Sequence, residues 1–431
     1  MSSAIDPLKV SNEETLSEIA TQEQIATNRL QAGINCGEIV VFGDVQGPVR
    51  PLAIGAGLST KVNANIGTSP DFPDLDQELG KVQAAVTMGA DTVMDLSTGG
   101  DLDEIRRAIR EHCPVTLGTV PIYQAAVEAS KRFGDITKMS PDQIFEVIER
   151  HAQDGVDFMT LHCGVTRWSL EELGKAPRVG GIVSRGGSML ARWMQVNDAE
   201  NPLYDQFDRL LDILDNYGVA ASLGDGLRPG AVADANDRGQ IAEMRVQGEL
   251  VAAARQRGVQ VFVEGPGHMP INQISGMVGL YKQLCHNAPL YVLGPLVTDI
   301  SPGYDDITAA IGGTLCAAAG ADYLCYVTAA EHIGLPDEEE VARGVVICRL
   351  AAHAADLAKG IPGAAQWDKE MSQARFHLDW ERVTELALDP GIVRKRRGER
   401  ATLDPQACSM CGKFCSIKLE LARQAAAARD Q

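Results

Sequence analysis

The sequence predicts an α/β protein: a (β/α)8 TIM-like barrel with an N-terminal extension and a C-terminal helical, cluster-binding tail. Three observations predict it. From about residue 57, short runs rich in β-branched and aromatic residues alternate with longer helical ones, the pattern of a largely parallel sheet. No G-x-G-x-x-G separates the first strand candidate from its helix, which weakens a doubly wound, dinucleotide-binding alternative. Nearly every strand candidate ends in polar or glycine-rich residues, and barrel enzymes gather their active sites at the C-terminal ends of their strands.

Composition narrows the classes. The chain has 431 residues, 45% hydrophobic and 23% charged, which is ordinary for a globular enzyme with a sizeable core. A formal net charge of -19 argues against a nucleic-acid binder. It leaves a small anionic substrate open, because a local pocket can oppose the global field. No run of about 18 apolar residues predicts a membrane span. The opening MSSAIDPLKVSNEETLSEIA lacks the apolar centre of a secretory signal, so a cytoplasmic protein is expected. Ten cysteines are too sparse for a disulfide scaffold, and Cys163, Cys285, Cys316, Cys325 and Cys348 read as small core residues in a reducing compartment.

Residues 1–56 read as a helical, small mixed region in which EIVVFGDVQGP forms a short strand and turn. The barrel is expected over 57–358. Its strand candidates are Val62–Ile66, Thr92–Leu96, Leu117–Ile122, Phe158–His162, Ile182–Ser184, Ala220–Leu223, Val259–Val263, Tyr291–Leu293 and Tyr323–Val327. A barrel takes eight strands, so one candidate is supernumerary, either the run around Ile182 or that around Tyr291. Residues 359–431 hold further helices and the cluster segment, with a linker at Lys359–Gly363. Residues 389–407 read as polar and break-rich, and their basic run Arg394–Arg397 as a solvated face or dimer contact.

Cys408, Cys411 and Cys415 are spaced C-x2-C-x3-C. Three thiolates are one short of a closed zinc site, and the last histidine, His377, precedes them. A [4Fe–4S] cluster held by three cysteines keeps one iron open, which suits reductive cleavage of S-adenosylmethionine. A zinc knuckle is the weaker alternative. The resulting radical would need a sealed cavity, which a barrel mouth capped by a tethered cysteine segment provides.

The strand ends supply candidate chemistry. Arg185 and Arg228 match phosphate or carboxylate, with Ser184 and the N–H groups of Gly186 and Gly187 completing a nest. Glu264, then Asp225, are the candidates for proton transfer. Asn65, Tyr123, His162 and Tyr291 would orient a polar heterocycle, and Met94 offers an adaptable apolar contact. His268 and His332 end separate units and could converge on zinc or ferrous iron, although hydrogen-bonded strand-end histidines remain an alternative.

The blocks TKVNANIGTS, DGVDFMTLHCGVTR, GIVSRGG, SLGDGLRPG, VEGPGH, YVLGPLVTDI and EHIGLP, with the terminal CSMCG-x-x-C, resemble the phosphomethylpyrimidine synthase family. The resemblance covers roughly residues 51–418. It implies a barrel radical S-adenosylmethionine enzyme acting on 5-aminoimidazole ribotide with an external one-electron reductant. It also implies a homodimer in which the cluster segment swaps over the partner. Substrate contacts are implied at Asn65, Met94, Tyr123, His162, Ser184, Arg185, Gly186, Asp225, Gly226, Leu227, Arg228, Glu264 and Tyr291. A divalent metal is implied at His268 and His332, and the cluster at Cys408, Cys411 and Cys415. The chain departs from the family pattern at Val41–Pro48, Leu290, Asp306 and Ala329. Those departures lead to the expectation of a paralogous activity, 5-hydroxybenzimidazole synthase for cobamide lower-ligand synthesis, with the thiamine pyrimidine as the alternative product.

Overall fold

The computed structural model describes residues 11–400 and 407–428. Ten strands occur among them: β1 (Ile39–Phe42), β2 (Leu52–Gly55), β3 (Lys61–Ile66), β4 (Thr92–Asp95), β5 (Thr116–Thr119), β6 (Phe158–Leu161), β7 (Ala220–Leu223), β8 (Val261–Gly265), β9 (Leu290–Leu293) and β10 (Tyr323–Cys325). β3 to β10 close into an eight-stranded barrel. All its pairings are parallel, and Tyr323 of β10 bridges Lys61 of β3 on one side and Tyr291 of β9 on the other.

The supernumerary candidate is Ile182–Ser184. β6 pairs directly with β7, which leaves no slot between them. Gly181 has φ +66, a left-handed conformation that breaks an extended run, and Ser184 already caps the helix Arg185–Asn197. The run around Tyr291 is β9. Two other expectations shift. Tyr123 lies past the end of β5, in the first turn of helix Pro121–Phe133, where Pro121 occupies the helix start that tolerates it. The break-rich stretch contains a helix, Pro390–Glu399, capped by Asp389, with proline again as a starter. The basic run lies on this helix, which buries no residue.

β1 and β2 pair antiparallel and sit against the lower end of the barrel. The Gln260 side chain locks them there, accepting from Val41 N at 2.7 Å and donating to Val41 O at 2.9 Å. Phe42 packs on Phe158 and Phe262, with ring centroids 5.9 and 6.5 Å away. Phe262 in turn meets Tyr291 and Tyr323, which stack at 4.1 Å. Aromatic rings therefore fill the lower barrel interior.

Helices return the chain between strands and bury one face each. The longest, Glu338–Lys359, starts in a capping box between Asp337 and Glu340 and stops at Gly360 with φ +69. The chain divides into two compact units between Pro362 and Gly363. The second unit carries helices Ala364–Phe376, Trp380–Leu386, Pro390–Glu399 and Ser416–Ala427. No helix among the described residues is long and apolar enough to cross a membrane.

Candidate functional site

The barrel mouth holds an inner chamber of about 480 Å³ that gives onto an outer one of about 1160 Å³. Asn65, Met94, Tyr123 and His162 line one part of the inner chamber, and Asp225, Arg228, Glu264 and Tyr291 the rest. Arg185 and His332 line the outer chamber. Residues from seven different strand ends thus converge on one cavity.

The floor is built to hold polar groups at fixed angles. Asn63, wholly buried on β3, donates to Asn65 Oδ1 at 2.7 Å and to Tyr291 Oη at 2.8 Å. Asn65 therefore has its amide N–H groups left for the cavity, and the Tyr291 hydroxyl turns its proton toward Met94 Sδ at 3.5 Å. Burial pushes Tyr291 well above the ordinary tyrosine range, so it stays neutral. His162 is buried, with Nδ1 unpaired, and burial followed by the Arg228 charge pulls its imidazole down to about 3. It is a neutral ring at physiological pH.

Two carboxyls face the same space. Glu264 Oε1 accepts from Thr160 Oγ1 and Ser222 Oγ, each at 2.6 Å. Burial raises Glu264 in spite of these bonds. Burial also pushes Asp225 up to about 7; Arg228 opposes that rise and the Glu264 charge adds to it. Both carboxyls are thus held above their ordinary range in the same cavity. A turn in which Arg228 N donates to Asp225 O folds Arg228 back, so that Nη1 donates to Asp225 Oδ1 at 2.9 Å.

Ser184 caps the helix Arg185–Asn197, its Oγ accepting from Gly187 N at 3.2 Å. The helix N-terminus and the Arg185 guanidinium, 4.8 Å over the Tyr123 ring, make an anion-attracting corner. Gly186 abuts the His162 ring, and Gly187 abuts the Gly226 carbonyl, so both positions exclude a Cβ. Ser184, Gly186, Gly226 and Leu227 lie behind the cavity wall rather than lining it. Leu227 is wholly buried, and its N–H donates to Glu243 Oε2 at 2.7 Å.

His268 and His332 come together, with ring centroids 5.4 Å apart. Each Nδ1 faces a carboxylate, Asp299 for His268 and Asp305 for His332, which leaves Nε2 as the ring nitrogen without that partner. The donor set suits a divalent cation with two protein ligands and open positions. Among the described residues no group of three or more His, Cys, Asp or Glu side chains forms a metal cage. In the second unit, Cys411 and Cys415 flank a single turn, Gly412–Phe414, and Cys415 starts the helix Ser416–Ala427. Cys408, Cys411 and Cys415 are all free thiols, a donor set that suits an iron–sulfur cluster.

Sequence reasoning missed Thr160, Ser222, Glu243, Asp299 and Asp305. Alternation along β6 and β7 carries the signal for the first two, since they share a face with His162 and Gly224. The other three have no local signal.

The radical SAM ThiC family matches residues 7–421. A phosphomethylpyrimidine synthase of Moorella thermoacetica is 56% identical over 405 residues, 94% of both chains. One of Carboxydothermus hydrogenoformans is 56% identical over 402 residues, 93% of this chain and 94% of the relative. Among solved structures, dihydropteroate synthase from Stenotrophomonas maltophilia superposes with a TM-score of 0.43 at 12% identity, covering 72% of this chain and 96% of that one, too loosely to bear on the site.

These relatives overturn the expectation of 5-hydroxybenzimidazole synthesis. The departures behind it lie away from the cavity. Val41 and Phe42 belong to the hairpin below the barrel, and Leu290 is core. Buried Asp306 accepts from Arg343 Nε at 2.7 Å, and neither chamber is lined by Ala329. None of these residues lines either chamber. The chain belongs to the radical SAM ThiC family and is a radical S-adenosylmethionine enzyme.

Proposed function

We propose that the protein is a phosphomethylpyrimidine synthase, rearranging 5-aminoimidazole ribotide to 4-amino-5-hydroxymethyl-2-methylpyrimidine phosphate for thiamine synthesis. The observation that carries this reading is 54–56% identity, over more than nine-tenths of the chain, to proteins of that name. The convergent cavity supports it.

The ribotide phosphate is held by Arg185 and the N-terminal end of the helix that Ser184 caps, with Arg228 as the second guanidinium. The imidazole lies over the floor formed by Asn65, Met94 and Tyr291, where the unpaired Nδ1 of His162 offers a hydrogen bond. Glu264 and Asp225 accept and return protons at the ring amine and ribose hydroxyls. Gly226 and Leu227 set the turn that aims Asp225 and Arg228. The aromatic column beneath keeps water from entering below, which preserves reactive intermediates.

Cys408, Cys411 and Cys415 would hold a [4Fe–4S] cluster, and His268 with His332 a zinc or ferrous ion. When bound, the cluster supplies the electron, drawn from an external reductant, that generates a 5′-deoxyadenosyl radical from S-adenosylmethionine. A homodimer in which each cluster segment serves the partner's barrel accords with the separate second unit and with the exposure of Met410 and Phe414 beside the cysteines. The decisive experiment is anaerobic incubation of reconstituted enzyme with aminoimidazole ribotide, S-adenosylmethionine and dithionite. A phosphorylated aminopyrimidine and 5′-deoxyadenosine are expected, and C411A should yield neither. Any other product would overturn the proposal.

A further inference from the structure

Each histidine of the pair is gripped by its own aspartate, one in the loop after β9 and the other at the start of helix Asp305–Ala319. His268 Nδ1 lies 2.7 Å from Asp299 Oδ1, and His332 Nδ1 lies 3.1 Å from Asp305 Oδ2. A carboxylate accepts, so Nδ1–H is the donor of each pair and Nε2 is the ring nitrogen left over.

The aspartates are themselves fixed. Asp305 is buried, and its other oxygen accepts from Ser301 Oγ at 2.8 Å. The second oxygen of Asp299 accepts from Val232 N at 2.9 Å. His332 holds φ +61, a left-handed conformation. Two imidazoles, each anchored at Nδ1 by a carboxylate and with Nε2 left over, form an arrangement that a cation completes.

Val232 and Pro229 follow Arg228 in the loop after β7, and Pro229 O accepts from His268 N at 3.0 Å. The loop that carries the substrate arginine is thus bonded both to His268 and to the aspartate behind it. We infer that Asp299 and Asp305 are positioning residues for a divalent cation at His268 and His332, and that Asp299 also couples this site to the Arg228 loop. The inference rests on reading the histidine pair as a metal site, and the experiment separates the two.

Cobalt(II) is the probe, titrated anaerobically into cluster-reconstituted protein, so that the thiols are occupied, and read by its d–d absorption and by chelator competition. D299A and D305A should each bind cobalt about 10–100-fold more weakly, with displaced d–d bands and unchanged iron–sulfur absorption. D299N and D305N retain an acceptor oxygen and should lose less. They carry the comparison if an alanine variant does not fold. H268A/H332A should lose the signal altogether. If that double variant binds cobalt like wild type, the metal reading itself fails. If it loses the signal while D299A and D305A bind within twofold of wild type with the same bands, the positioning inference alone is overturned.

Discussion

Gly186 lies flat against the imidazole of His162, with no room for a Cβ between them. That contact lets the start of helix Arg185–Asn197 reach the buried ring and brings Arg185 to the wall of the outer chamber. G186A must move either the helix start or the ring. Turnover should fall by up to about 100-fold, which an ångström-scale misplacement can cost, while the fold persists. Single-turnover kinetics, beside a thermal melt, check this.

Arg228 presents two faces, one to Asp225 and one to the cavity. Lysine keeps the charge and loses the fork. R228K should raise the KM for ribotide about 10–100-fold, corresponding to one or two charge-assisted hydrogen bonds, with a smaller change in kcat. Steady-state kinetics over a range of ribotide concentrations decide it. An unchanged KM would place Arg228 outside the substrate site.

Glu264 and Asp225 both have folded-state pKa values raised by burial. The unfolded chain therefore releases these protons first as pH rises, and the native state loses stability through the window from the ordinary carboxylate range up to about 7, the value reached by Asp225. E264Q removes one of the two charges and keeps an oxygen for Thr160 and Ser222. Its melting temperature should exceed that of wild type at pH 8, with the gap closing toward pH 4, while turnover is lost. A gap of the same size at both pH values would contradict this assignment.

Glu243 supports the turn that carries Asp225 and Arg228. Burial and the nearby Asp225 charge push it well above the usual carboxylate range. E243Q preserves the acceptor for Leu227 N and should retain stability and ribotide affinity. E243A strands a buried N–H and should cost about 1–3 kcal/mol in denaturant unfolding. Equal loss in both variants would mean that the ionised form is required.

The barrel was legible because short strand runs alternate with helical ones and nearly every strand ends in chemistry. Asn65, Tyr123, His162, Asp225 and Glu264 all fall in the cavity that this logic predicts. Ile182–Ser184 misled because three β-prone residues look alike in a strand and in the approach to a helix cap. The partners that tune the site escaped notice because they arrive from afar: Thr160 is 104 residues from Glu264, and Asp299 is 31 from His268. The product was misjudged for the same reason. Departures such as Asp306 and Leu290 stand near cavity residues in sequence, while their side chains point into packing and ion pairs elsewhere.

Phe42, Phe158 and Phe262 plug the lower end of the barrel, so the inner chamber is reached past the outer one at the strand C-termini. A molecule seated in the inner chamber would therefore have any second molecule in the outer chamber standing in its path.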